Sequence, residues 1–377
     1  MAVSVSTPFQ SLPGAVLDEA GQCCLHFGAP LREQRDFAAG KAVIDAADLA
    51  VVTVTGPDRL RWLNSLTSQK LDTLAAGVSA ESLLLSPQGR IEQQLFLVDD
   101  GETTWLIVDA DHVESLVEFL NRMRFALRVE VATAPHLAVV VSAGGSTNAP
   151  SQATLATEQL APHAVWQDPW EVVTEGGHQY AELHPAADGF SCRYTIVDRE
   201  RVSELAGLVR QGEIKAAGSM ALAALQIAAA RPTVKDLDDR TIPHEFDMLR
   251  TAVHLSKGCY RGQETVAKVH NLGHPPRRLV LLHIDGSGGE LPQAGALVYP
   301  AAADFAEAGK AKPLGRVTRA VLHHELGPIA MALLKRGTAA DAEFDVAVGD
   351  GFTRASQQVI VPIGAGATRD IPRFKRL

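Results

Sequence analysis

The order of short apolar runs between residues 49 and 121 constrains the fold more than any other feature of this sequence. The runs predict two helices, which Asp58 and Asp111 would cap, and four strands, over residues 49–55, 82–86, 91–98 and 105–108. A turn at residues 87–89 joins two of these strands. Because connections this short join antiparallel strands, the pattern predicts an α+β unit.

The remaining sequence divides the chain of 377 residues, which is too long for one ordinary core, into three parts. Residues 1–19 lack clear periodicity and predict an extended N-terminal arm. The α+β region follows over residues 20–272, with a polar, turn-rich loop at residues 144–151. Short apolar runs separated by Gly or Pro fill residues 273–377 and predict a C-terminal β-barrel.

Composition and charge argue against several classes of function. A formal net charge of -9 gives the whole chain no basic field for direct DNA binding, and no apolar stretch is long enough to span a membrane. The cysteines form no C-x-x-C pair, Cys23 and Cys24 are adjacent, and we see no signal peptide. We therefore expect a cytoplasmic protein with reduced thiols and no metal site, for which a monomer is sufficient.

Residues 257–264, Lys-Gly-Cys-Tyr-Arg-Gly-Gln-Glu, hold the densest group of reactive side chains. Two glycines allow a tight turn that projects Cys259, and Lys257 and Arg261 lie two residues to either side of it. Their positive charges would favour the thiolate and make Cys259 a nucleophile. The alternative is that Cys259 is a small buried hydrophobic residue, which the flanking cations and glycines make the weaker interpretation.

The other side chains of this segment suit a flat heterocyclic ligand. Tyr260 could stack on such a ring, while Gln263 and Glu264 could supply the amide and carboxylate hydrogen bonds that orient a pterin. Together with Lys257 and Arg261, they are the ligand-binding residues that we predict here.

Several segments resemble one protein family. Residues 257–264 resemble the K-G-C-Y-x-G-Q-E signature of the YgfZ family, the folate-binding relatives of the glycine-cleavage T protein. Residues 47–62, which include Val-Thr-Gly-Pro-Asp at 54–58, are similar to the family's first strand and helix. Residues 85–91, Leu-Ser-Pro-Gln-Gly-Arg-Ile, are similar to its hairpin. The resemblance runs over residues 36–334.

The resemblance implies a fold and a function. The fold is an aminomethyltransferase-like, folate-binding region of several α+β subdomains around a central cavity, followed by a six-stranded β-barrel. The cofactor that it implies is tetrahydrofolate. The implied role is the assembly or repair of iron–sulfur enzymes, including those that thiolate tRNA, with iron–sulfur client proteins or their assembly machinery as partners.

One departure from the related aminomethyltransferases bears on activity. Those enzymes carry an Asp-Asp pair after a hairpin, and Gln93 and Gln94 stand in its place here. An amide can bind a pterin but cannot accept the proton that aminomethyl transfer requires. Glu92 shares a strand face with Gln94, so we take both as folate-contact candidates and Glu92 as a possible substitute base. Ala228 also replaces a folate-binding Glu, so we expect that aminomethyl transfer is lost.

Three hypotheses on function remain. The leading one is a tetrahydrofolate-binding accessory protein for iron–sulfur enzymes, in which Cys259 is the reactive, catalytic group. The second is a tetrahydrofolate-dependent aminomethyltransferase or other one-carbon transferase that uses Glu92 as its base. The third is a non-catalytic scaffold that keeps the fold, binds a protein partner and has no affinity for folate.

Overall fold

The computed structural model of the protein describes residues 6–146 and 149–368. These two ranges contain seven α-helices, α1 to α7 in chain order. The helices are Pro30–Ala38, Arg59–Leu66, Val113–Arg122, Gln152–Glu158, Val202–Gln211, Ser219–Ala228 and Gln263–Leu272. No helix in the described part of the chain is long and apolar enough to cross a membrane.

Twenty strands lie in the described residues, β1 to β20 in chain order. The first fourteen precede the barrel and are Val16–Leu17, Cys24–His26, Ala42–Asp45, Leu49–Thr55, Ser79–Leu85, Ile91–Asp99, Thr103–Asp109, Glu130–Thr133, Leu137–Ala143, Gly145–Ser146, Ala149–Pro150, Ala164–Gln167, Cys192–Asp198 and Lys215–Ala216. The last six are Arg277–Ile284, Leu297–Pro300, Gly315–His323, Gly327–Lys335, Phe344–Val348 and Gly351–Val359.

The four strands predicted from the first apolar runs are all present. They form a five-stranded sheet in the order β5-β6-β7-β4-β8, in which every neighbouring pair is antiparallel. Helices α2 and α3 cover one face of this sheet, where Trp62, Leu84 and Leu116 are buried together. The α+β unit with antiparallel pairing is thus confirmed.

A second five-stranded sheet packs against the free face of the first. Its order is β12-β13-β9-β3-β14, with a parallel pair only between β14 and β3. Ile44 and Tyr194 from this sheet are buried in one cluster with Phe96 and Ile107 from the first sheet. Residues of α6 complete the cluster, so the two sheets and this helix surround a common core.

The C-terminal strands close into the predicted barrel, in the order β15-β18-β17-β16-β19-β20. Strand β19 had not been predicted, although its Phe344 and Val346 fill the barrel interior. An ion-pair network fastens the barrel to the α+β region, because Arg277 of β15 binds both Asp238 and Glu245. Residues 369–377 of the C-terminal part lie outside the described residues.

Two predicted helix caps are wrong in detail. The Asp58 carboxylate does not cap α2, because it accepts hydrogen bonds from the backbone and guanidinium of Arg128. Asp111 does not cap α3 either, since a short 3-10 helix precedes α3 and Asp109 caps that turn by accepting from the backbone N–H of Asp111.

The N-terminal segment that we expected as an extended arm packs on the protein from Ser6 onwards. It forms a 3-10 helix at Pro8–Ser11, and Phe9 is fully buried. Cys23 and Cys24 are also buried, which raises the pKa of their thiols to about 12 and about 11. In the predicted loop at residues 144–151, β10 and β11 form a short hairpin, and residues 147–148 lie outside the described residues.

Candidate functional site

Two segments that carry the resemblance meet at a pair of glycines. Gly89 closes the turn between β5 and β6, and Gly262 precedes α7; both have positive φ, of 75° and 85°. A side chain at Gly262 would place its Cβ 3.1 Å from the Cα of Gly89 and 2.6 Å from the carbonyl oxygen of Ser86. Only glycine fits this backbone conformation and this close approach without strain.

Lys257 is directed into the protein and away from the thiol that we expected it to activate. Its Nζ donates hydrogen bonds to three carbonyl oxygens that follow or end α2, those of Asn64, Thr67 and Gln69, at 2.6, 2.7 and 2.7 Å. Burial lowers its pKa to about 8. The proposed activation of Cys259 by Lys257 is therefore wrong, because the ammonium group satisfies orphan carbonyls at a helix end.

Arg261 and Tyr260 also have partners within the protein. The Arg261 guanidinium forms a two-pronged ion pair with Glu92, at 2.7 and 3.1 Å, and lies over the ring of Phe119. Tyr260 is 8% exposed, and its ring lies 5.0 Å from the Nζ of Lys257. Tyr260 packs in the core between the hairpin and the barrel, so it offers no open face for stacking on a ligand.

Cys259 is the exposed cysteine of the described residues, so the alternative interpretation, in which it is a small buried hydrophobic residue, is excluded. Gln263 and Glu264 begin α7 next to it, where Gln263 Nε2 donates to the carbonyl of Lys257 at 3.4 Å and Glu264 faces solvent. We name the group of Cys259, the Glu92–Arg261 ion pair and the turn at residues 86–89 the thiol surface.

A separate cavity of about 240 Å³ lies between the two sheets and α6. Gln94 and Phe96 of β6, Tyr194 of β13 and Gln226 of α6 line it, and the ring centroids of Phe96 and Tyr194 lie 5.8 Å apart. Among the predicted site residues only Gln94 lines this cavity, and none of residues 257–264 does. Glu92 does not line it either.

A buried charge network fixes the Gln94 amide. Its Nε2 donates to Glu81 Oε1 at 2.8 Å and to the carbonyl of Pro232 at 3.3 Å. Both amide hydrogens are thereby used, and the carbonyl oxygen is the group that Gln94 can offer to a ligand. Glu81 is held in turn by Arg231, which also binds Asp168 and lies over the ring of Phe96.

Three cavity residues had not been predicted from the sequence. Asp109 ends β7, two residues beyond Ile107, which pairs with Phe96, and burial raises the pKa of its carboxyl. The antiparallel register could have placed it beside Gln94. Tyr194 and Arg319 come from distant parts of the chain, and no local pattern marks them.

The mouth of the cavity carries opposite charges. Lys235 Nζ lies 2.6 Å from Asp48 Oδ2, and both side chains are partly exposed. Arg319 reaches in from the barrel, where its guanidinium donates to Gln226 Oε1 at 2.9 Å. Cationic groups therefore lie both at the opening and beside the polar wall.

Comparison with known proteins bears on these two sites. No family model matches the chain. A tRNA-modifying protein YgfZ of Yersinia pseudotuberculosis is 26% identical over 256 residues, which are 67% of this chain and 73% of that protein. A putative chloroplastic transferase of Arabidopsis thaliana is 24% identical over 259 residues. The match covers 66% of this chain but 57%, less than two thirds, of the plant protein.

Among solved structures, the glycine cleavage system aminomethyltransferase T of Bartonella henselae is similar along nearly its whole length. It superposes with a TM-score of 0.72 at 16% identity and covers 97% of this chain and 99% of its own. The predicted aminomethyltransferase-like fold is confirmed by this match. The resemblance to YgfZ-type proteins is confirmed by the Yersinia relative.

Proposed function

We propose that this chain, a relative of YgfZ-type proteins on the fold of an aminomethyltransferase T, binds tetrahydrofolate in the cavity beside Gln94. We further propose that it supports the assembly or repair of iron–sulfur enzymes, including tRNA-thiolating ones, in the cytoplasm. In this role Cys259 is the reactive group, and it acts at the thiol surface rather than inside the cavity.

The observation that carries the folate proposal is the polar wall of the cavity. Gln94 presents a fixed acceptor oxygen, and the Tyr194 hydroxyl, which accepts from Gln226 Nε2 at 3.4 Å, can donate a hydrogen bond to a ligand. A pterin carries N–H donors and ring-nitrogen acceptors, and Phe96, whose ring faces are covered by Trp166 and Arg231, supplies an apolar edge at the same wall. These residues fit a pterin and its need for hydrogen bonds.

The size of the cavity suits the ring system of a folate better than the whole molecule. Its 240 Å³ lies just below the roughly 300–1,000 Å³ that is usual for small-molecule sites. The remainder of the ligand would extend through the mouth, where Lys235 could meet the carboxylates of its glutamate end. When bound, tetrahydrofolate would supply one-carbon or reducing chemistry, and the chain's own residues bind and orient it.

The exposure of Cys259 supports a task that involves a protein partner. A thiol on the surface can reach a client protein, whereas a thiol inside a cavity of this size cannot. Strand β6 joins the two places, since Glu92 holds Arg261 of the thiol surface and Gln94, two residues on, lines the cavity. The two places are therefore neighbours along one strand, although they are separate sites.

An anaerobic equilibrium titration with tetrahydrofolate, followed by tryptophan fluorescence, tests the proposal. Trp166 stacks on Phe96 with ring centroids 4.3 Å apart, so a ligand beside Phe96 should change its emission. We expect saturable binding. No binding at millimolar ligand, which corresponds to roughly -4 kcal/mol or weaker, would contradict the proposal and favour the scaffold hypothesis.

A one-carbon transferase is the second candidate, and Asp109 favours it over the earlier choice of base. Glu92 is paired with Arg261 outside the cavity, whereas Asp109 lines the cavity and burial raises its pKa. A carboxyl group of this kind can hold a proton nearer to neutral pH. Asp109→Asn should abolish any turnover of an aminomethylated amine that the wild type shows, and Glu92→Gln should leave it unchanged.

A further inference from the structure

A second cavity, of about 550 Å³, opens between the segment around residues 171–185 and strand β20 of the barrel. Arg250 and His184 line it, together with the exposed side chains of Val173 and Leu183. None of the residues of this cavity lines the Gln94 cavity, so the two are distinct.

Arg250 is buried without a full set of partners. The residue is 1% exposed and forms no ion pair with the described residues. Its Nε and Nη1 atoms find no hydrogen-bond acceptor in the described part of the chain, and its guanidinium lies 4.9 Å from the centre of the Trp170 ring. A buried N–H group without an acceptor is costly, so such a pair calls for an explanation.

His184 adds a further unused donor at the same place. Its Nδ1 accepts a hydrogen bond from the backbone N–H of Ala186 at 3.2 Å, so the neutral ring carries its proton on Nε2. Nε2 is buried and has no partner among the described residues. Burial, and then the charge of Arg250, lower the pKa of His184 to about 3, so the ring is neutral at physiological pH.

The carboxylates nearby are engaged elsewhere. Arg231 holds both Glu81 and Asp168. Asp247 accepts hydrogen bonds from the backbone N–H groups of Tyr180 and Ala181, at 2.7 and 3.3 Å. Two further acidic residues, Glu171 and Glu182, lie on the exposed rim of the cavity. No carboxylate of the described residues therefore occupies the donors of Arg250 and His184.

We propose that this cavity is a binding site for the anionic group, a carboxylate or a phosphate, of a small molecule. The unpartnered atoms of Arg250 and His184 are all N–H donors, and such an anion offers acceptors only. The apolar side chains of Val173 and Leu183 at the opening favour a ligand in which an apolar portion adjoins the anionic group.

Titration of the full chain with inorganic phosphate and, separately, with acetate at constant ionic strength tests this site. Trp170 reports on it, because its ring contacts both Arg250 and His184 at centroid distances of 4.9 and 5.2 Å. We expect saturable binding of at least one anion, and the tighter of the two identifies the group. Absence of saturable binding of either anion would overturn the proposal.

Variants and a soaked crystal make the test specific. Arg250→Gln should weaken anion binding by roughly tenfold or more, whereas Arg240→Gln, at a side chain that is 76% exposed, should leave it unchanged. Equal weakening by both variants would overturn the site. If Arg250→Gln fails to fold, a crystal of the unmodified protein soaked in selenate decides, and a missing anomalous peak at Arg250 and His184 would count against us.

Discussion

The cavity that Gln94 lines and the thiol surface that carries Cys259 differ in how their polar groups are used. In the cavity, buried charges hold Gln94 in one orientation and leave a single acceptor oxygen for a ligand. At the thiol surface, Lys257 and Arg261 are bound within the protein, and Cys259 is exposed. We therefore propose that the cavity binds the ligand and that the thiol surface meets a partner protein.

The difference also separates this chain from the aminomethyltransferase whose fold it has. A transferase needs a ligand site and a proton acceptor in the same place. Here the resemblance implies that Gln93 and Gln94 replace the carboxylates of the related enzymes, Asp109 is a carboxyl group that does line the cavity, and Cys259 lies outside it. We therefore expect that mutations can separate ligand binding in the cavity from the chemistry of Cys259.

Cys259→Ser should have the largest effect and act on the thiol surface alone. We expect complete loss of rescue of a strain that lacks the protein, with unchanged stability and tetrahydrofolate affinity, because the side chain is exposed and does not line the cavity. The exposed neighbour Ser256→Ala is the matched control and should rescue fully. Full rescue by Cys259→Ser would show that the Cys259 thiol is not required for function.

Lys257→Met should destabilise the protein by about 2 kcal/mol, since it removes three hydrogen bonds from a charged donor to buried carbonyls. Chemical denaturation measures the free energy of unfolding. Lys268→Met, on the exposed face of α7, should change it by less than about 0.5 kcal/mol. If the Lys257 variant is as stable as the wild type, the three hydrogen bonds do not stabilise the protein. The hypothesis that Lys257 activates the Cys259 thiol would then be restored.

The same lysine gives a pH dependence with a definite sign. Burial lowers its pKa from 10.5 to about 8, so between these values the unfolded chain holds a proton that the folded chain has released. Stability from this group therefore rises as the pH increases through that window. The difference in unfolding free energy between the wild type and Lys257→Met should be larger at pH 10 than at pH 7. The same difference at both pH values would contradict the lowered pKa of Lys257.

Gln94→Met should weaken tetrahydrofolate binding by about tenfold, or about 1.4 kcal/mol, because it removes the acceptor oxygen without a large change in volume. Gln93→Met is the matched control, since its amide donates to Ser115 and does not line the cavity. We expect less than a twofold change in affinity for this variant by fluorescence titration. Equal losses for the two would show that the cavity is not the site.

Glu92→Gln should have the smallest effect. Its ion pair with Arg261 is more than a third exposed on the Glu92 side, so its loss should cost less than about 1 kcal/mol of stability and leave folate affinity unchanged. Arg261→Gln should produce a similar loss. A large fall in folate affinity in Glu92→Gln would show that the thiol surface and the Gln94 cavity are coupled.

The sequence predicted architecture better than side-chain direction. The antiparallel α+β sheet and the barrel follow from short apolar runs and short turns. Gln94 was identified through the resemblance to the aminomethyltransferases, and strand alternation added Glu92, which does not line the cavity. Lys257 and Arg261 were misjudged because proximity to Cys259 in sequence does not fix direction. Their partners lie 193 and 169 residues away, and only tertiary structure brings them together.

The residues that line the cavity show the same limit of prediction from sequence. Asp109 could have been placed from the hairpin register, but Tyr194 and Arg319 enter from the second sheet and from the barrel. Nothing in the local sequence of either residue indicates a ligand site. A binding site assembled from three separate elements becomes visible only when those elements are packed.

A crystal structure of the protein grown anaerobically with tetrahydrofolate tests the central claim most directly. We predict the pterin in the cavity, with an N–H group donating to Gln94 Oε1 and the ring beside the edge of Phe96, while Cys259 stays free of ligand. Density for the pterin at the thiol surface, with the cavity empty, would contradict the separation of binding from chemistry on which the account depends.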